Sequence, residues 1–73
     1  MNKKLIMLRI DKGLSQKDAA KAIGISQQML SYLEHGYRTG SDITKMKVAK
    51  FYGESVEAIF FNSKITKRDK INL

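Results

Sequence analysis

The 73-residue chain has no cysteine, no proline and no tryptophan, and only one histidine, His35. Without cysteine there can be neither a disulfide framework nor a zinc knuckle, and one histidine cannot build an all-protein transition-metal cluster. Small folds that depend on such staples are therefore excluded. Acidic residues are also scarce: seven Asp and Glu stand against fourteen Lys and Arg, a net charge of +7. That surplus points to a polyanionic partner, nucleic acid or anionic lipid, and says nothing about fold. Long apolar runs are missing as well. The start Met1-Asn2-Lys3-Lys4 is basic, but the apolar run that begins at Leu5 is broken at Arg9. It is too short for a signal peptide or a membrane span, so a soluble, cytoplasmic protein is expected. The length suits one domain, and a domain this small hides only about 60% of the surface its unfolded chain exposes. Its core must be thin.

The glycines and serines that are present punctuate the chain. Gly13, Gly24 and Gly53 are each followed two residues later by serine (Ser15, Ser26, Ser55), and Gly40 directly precedes Ser41. Glycine suits the left-handed position that ends a helix, and a serine hydroxyl accepts from the free amides that begin one. This pattern predicts helices over 2–12, 16–23, 27–35, 42–52 and 55–61, with Ser15-Gln16-Lys17-Asp18 as an acidic capping box. At about 100° per residue, Gln27, Gln28, Ser31, Tyr32 and His35 share one side of the third segment, opposite Met29, Leu30 and Leu33. Ile43, Met46, Ala49, Phe51 and Tyr52 form the apolar stripe predicted for the fourth, with Lys45, Lys47 and Lys50 outside it. Val56, Ile59 and Phe60 are the expected inward residues of the fifth. The first is apolar on several sides, from Leu5 to Ile10. The expected domain is 1–61, followed by a basic tail over 62–73 that is either poorly ordered or a short strand.

The stretch from Leu14 to Gly36 puts two short helices either side of Gly24, joined by a tight turn, which is the helix-turn-helix pattern. Small Ala20 lets the helices approach, Gly24 permits the turn, and Ile23, Ile25, Leu30 and Leu33 bury the inner faces. The second helix is then held with its polar side outward. A helix so held fits the major groove, where every base pair presents a distinct donor and acceptor pattern.

The pieces Leu8-Arg9, Gly13-Leu14-Ser15-Gln16, Ala20, Ile23-Gly24-Ile25-Ser26, Leu30, Leu33-Glu34, Gly36, Ala49 and Ser55 to Phe60 together make residues 4–61 resemble the Cro/repressor-type helix-turn-helix family, also called the xenobiotic-response-element family. The resemblance implies an all-α, five-helix, lambda-repressor-like domain that binds double-stranded DNA symmetrically and controls transcription. Ala19, Gly40 and Glu54 depart from the residues usual in that family.

Candidate site residues follow from position and chemistry. Gln27, Gln28, Ser31 and Tyr32 are the candidate base contacts, a glutamine amide being able to meet adenine N6 and N7 together. Gln16 resembles the family glutamine that touches a phosphate and supports a recognition-helix glutamine. Lys17 stands beside it, at a helix start that favours anions. Arg38, Thr39, Ser41 and Thr44 are further phosphate candidates, with Arg38 foremost because guanidinium matches phosphate oxygens. The resemblance also implies an Arg9–Glu34 ion pair that ties the first helix to the end of the third. It places the two-fold contact of a homodimer at Phe51, Val56, Ile59, Phe60 and Phe61.

The expected function is a sequence-specific DNA-binding transcriptional regulator, a repressor of phage, plasmid or small-operon type on a palindromic operator. The alternatives are an antitoxin-type autorepressor and a protein-interaction adaptor on the same scaffold. No paired carboxylates, activated nucleophile or phosphate-cradling glycine loop suggest an enzyme. No cofactor, metal, small-molecule ligand or membrane partner is expected.

Overall fold

Serine hydroxyls start four of the helices in this computed structural model, which describes residues 1–61; the predicted 62–73 tail lies outside the described residues. The elements are α1 (Lys3–Asp11), α2 (Gln16–Ile23), α3 (Gln27–His35), α4 (Asp42–Tyr52) and α5 (Val56–Phe60). The fold is all-helical, with no strand among the described residues. Ser15, Ser26, Ser41 and Ser55 accept from the amides of Asp18, Met29, Thr44 and Ala58 at 3.0, 3.0, 3.2 and 3.0 Å. Such caps each contribute about 1 kcal/mol to the helix they begin. Left-handed Gly24, Gly36 and Gly53 end α2, α3 and α4.

The start of α1 depends on Asn2. Its Oδ1 accepts from the Leu5 amide at 3.0 Å, its Nδ2 donates to the Ile59 carbonyl at 3.0 Å, and its backbone N–H donates to the Glu34 carbonyl at 2.8 Å. One residue thus caps α1 and ties it to the end of α3 and to α5.

Fully buried Leu5, Ala19, Leu30, Leu33 and Val48 anchor the core, joined by Ala20, Ile23, Ala49, Tyr52, Ile59 and Phe60. The α2–α3 contact is the most extensive, because Ala19 and Ala20 present so little side chain that α3 can approach closely. Ala19, a departure from the family pattern, is completely buried.

The inward face of α4 differs from the predicted stripe. Val48, Ala49 and Tyr52 are buried, whereas Ile43 and Met46 are 67% and 62% exposed. Lys45 lies on the buried side; its stem is covered and its ammonium sits 5.2 Å from the centre of the Phe61 ring. Positions 45, 48, 49 and 52 follow an i, i+3, i+4, i+7 spacing, and the amphipathic lysine completes that face by burying its methylenes. In α1, Leu5 alone is fully buried, and Met7 and Ile10 stay exposed.

Gly40, the second departure, has φ +81°, and a Cβ there would stand 3.1 Å from Thr44 Cγ2 and 3.4 Å from Leu33 Cδ2. The left-handed backbone favours glycine, and any larger residue would also have to push the Thr44 side chain aside. Glu54, the third, lies 3.7 Å from the Lys4 ammonium. Among the described residues no helix is long and apolar enough to cross a membrane.

Candidate nucleic-acid interface

A buried polar knot fixes the two helices of the motif. Glu34, 2% exposed in the last turn of α3, accepts from Arg9 Nε at 2.7 Å through one carboxylate oxygen and from Gln16 Nε2 at 3.0 Å through the other. Arg9 also donates to the Leu14 carbonyl at 2.9 Å. A single carboxylate therefore joins α1, the entry to α2 and the end of α3. Its low exposure is tolerable because both oxygens are paired, one with a cation. Gln16 spends one of its two amide protons on Glu34 and keeps the other, at a helix start that favours anions. Lys17 is exposed beside it.

Tyr52 adds its hydroxyl to the same interior. The oxygen is buried and has no hydrogen-bond partner. Burial, then the nearby Glu34 charge, push the phenol above its usual pKa of 10.0, with Arg9 opposing them. Above pH 10 the unfolded chain gives up this proton while the folded one keeps it, so the stability it carries is present below pH 10 and is lost as pH rises through the folded pKa. Tyr52→Phe is expected to flatten that alkaline loss in pH-dependent urea unfolding. At pH 7 it should cost less than about 1 kcal/mol, since it deletes an unpaired buried oxygen and leaves the ring. A larger loss at pH 7 would contradict this account of the hydroxyl.

The outer face of α3 gathers the predicted base-contact residues. Gln27 and Gln28 are exposed in its first turn, with Ser31 and Tyr32 half-buried one turn on. Gln28 Nε2 donates to the Tyr32 hydroxyl at 2.7 Å. His35 Nδ1 lies 2.8 Å from the Ser31 carbonyl oxygen, one turn back on the same face. Beyond the helix, Tyr37 stacks on His35 with ring centres 5.4 Å apart, and the Arg38 guanidinium lies 5.3 Å from the centre of the Tyr32 ring.

Among the phosphate candidates, Arg38 and Thr39 are exposed in the α3–α4 loop. The Ser41 hydroxyl is occupied locally, capping the Thr44 amide and donating to Thr44 Oγ1 at 3.1 Å. Thr44 keeps its own hydroxyl proton to offer. At the other end, Ile59 and Phe60, predicted for a dimer contact, are buried in the protomer's own core, and Phe51, Val56 and Phe61 are partly covered against it. Ile43 and Met46 add exposed apolar surface at this end, adjoining Val56 and edged by Lys47, Lys50 and Glu54.

Sequence reasoning missed the cap made by Asn2 and the buried hydroxyl of Tyr52, a residue expected only as part of the α4 stripe. Asn2 could have been found from the strong preference of asparagine for the position just before a helix. The burial of the Tyr52 hydroxyl beside Glu34 has no local signal.

Two short helices crossing at a left-handed glycine, the second offering a polar face held from behind by a buried ion pair, define a helix-turn-helix domain. The helix-turn-helix family model matches residues 5–59, and the chain belongs to that Cro/repressor-type family. A similar protein is an uncharacterised HTH-type transcriptional regulator of Methanocaldococcus jannaschii, 38% identical over 60 residues that cover 82% of this chain and 91% of that protein. No solved structure gives a significant match.

Proposed function

We propose that the chain is a transcriptional repressor that binds a palindromic operator as a homodimer, with α3 as its recognition helix. The observation that carries this reading is the outer face of α3, where Gln27, Gln28, Ser31 and Tyr32 stand together on a helix clamped through Glu34. Family membership and the excess of fourteen basic over seven acidic residues support a DNA partner. The regulator named in Methanocaldococcus jannaschii supports a role in transcription. Arg38, Thr39, Thr44 and the first turn of α2 serve as phosphate contacts, which set register and orientation while base edges supply sequence information.

A second copy is the proposed occupant of the Ile43–Met46–Val56 surface. Lys47 and Lys50 share its rim with Glu54, so a two-fold pairing can set the basic residues of one protomer against the acid of the other. Such a pairing presents two recognition helices to half-sites about 34–36 Å apart.

Selection of bound duplexes from a random pool tests the reading in one step. A palindromic consensus is expected, and alanine at Gln27 or Gln28 should then remove about 1–3 kcal/mol of discrimination at one base pair in each half-site. Non-specific affinity should change little. An asymmetric consensus bound by a monomer would remove the dimer, and absence of any consensus would remove sequence-specific regulation.

A further inference from the structure

The Gln28–Tyr32 pair occupies the exposed face of α3, where a hydrogen bond adds little to stability. Its geometry nevertheless constrains the glutamine. Gln28 Nε2 donates one of its two protons to the Tyr32 hydroxyl at 2.7 Å, which leaves its other N–H and Oε1, one donor and one acceptor, unengaged. Those are the two groups that a bidentate contact to adenine N7 and N6 needs. The tyrosine is itself held: the Arg38 guanidinium lies 5.3 Å from its ring centre, and the Tyr37 ring is tilted against it at 6.2 Å. The Gln16 amide, which the family resemblance assigned to supporting a recognition-helix glutamine, donates one of its protons to Glu34.

We infer that Tyr32 is a positioning residue that presets the Gln28 amide for reading a base pair. A glutamine free in solvent must lose rotamer freedom on meeting a base, and a preset amide has already lost part of it. Tyr32 thereby acts on sequence preference through Gln28, and Gln28 is the reading glutamine of the adjacent pair. The inference rests on the proposed DNA reading by α3.

The test uses the selected operator with each base pair varied in turn, and binding by the parent, Gln28→Ala, Tyr32→Phe and the double variant. Gln28→Ala should lower discrimination at one base pair per half-site by about 5- to 150-fold. Tyr32→Phe, which keeps the ring and its contact with Arg38, should lower it at the same base pair by about 2- to 10-fold. The double variant should be no worse than Gln28→Ala, a non-additivity that a structural role for the ring would not produce. Thermal unfolding should be unchanged by Tyr32→Phe. The inference is overturned if Tyr32→Phe acts at a different base pair, adds fully to Gln28→Ala, or leaves preference intact, or if Gln28→Ala itself has no effect on a protein that still prefers its operator. A parent protein that binds all duplexes alike would instead defeat the proposed function, and the inference with it.

Discussion

Alanine at position 9 is expected to destabilise the domain by about 3–5 kcal/mol, the cost of leaving one partner of a buried pair without the other. The carboxylate left behind, Glu34, is 2% exposed and would keep only Gln16 as a side-chain donor. The Leu14 carbonyl would lose its bond from Arg9 as well. At roughly 0.05–0.15 kcal/mol per residue a domain of this size has only several kcal/mol of stability in all, so Arg9→Ala should be largely unfolded near physiological temperature. Urea unfolding followed by circular dichroism would measure this. The double variant Arg9→Met, Glu34→Leu should lie much closer to the parent, because it removes both charges and retains apolar volume. An Arg9→Ala loss below about 1 kcal/mol would mean that the pair is screened by solvent, as surface pairs are.

Helix boundaries were legible in the sequence wherever a local contact sets them. Ser15, Ser26 and Ser41 bond amides only three residues on, and Gly24, Gly36 and Gly53 turn the backbone by their own φ, so α2, α3 and α4 fall at the predicted positions. Only α1 and α5 are shorter than predicted, the latter because Ser55 and Phe61 are its caps. The rotation of α4 was not legible. It depends on which side meets the rest of the core, and a lysine stem proved compatible with the buried face while Ile43 and Met46 did not reach it. The site divides in the same way. The polar face of α3 is visible from spacing alone, and the Gln28–Tyr32 bond joins residues one turn apart, within reach of helical geometry. The convergence of Arg9, Gln16 and Glu34 brings together residues up to 25 positions apart, and only the family resemblance indicated the pair within it.

Leu30→Ala should be the second severe change, with a loss of about 2–5 kcal/mol. Leu30 is fully buried where α3 faces α2, within the cluster that contains Ala19, Ala20 and Val48. The cost of such a truncation depends on how far neighbours can move into the space left, and the two alanines have no further side chain to offer. The loss should therefore fall in the upper part of the range. Its effect on function should be of another kind from that of the glutamines. Gln28 is exposed and makes no contribution to the core, so its alanine variant should melt with the parent and lose preference at one base pair. Leu30→Ala should melt earlier and, in the cold where it remains folded, retain the parent's base preference. Operator in large excess should raise its melting temperature, because a ligand that binds only the folded state adds its binding free energy to stability. A Leu30→Ala protein that melted with the parent would show that α3 is held mainly by its polar end at Glu34, whereas altered base preference at full folding would show that the side chain also sets the helix's angle in the groove.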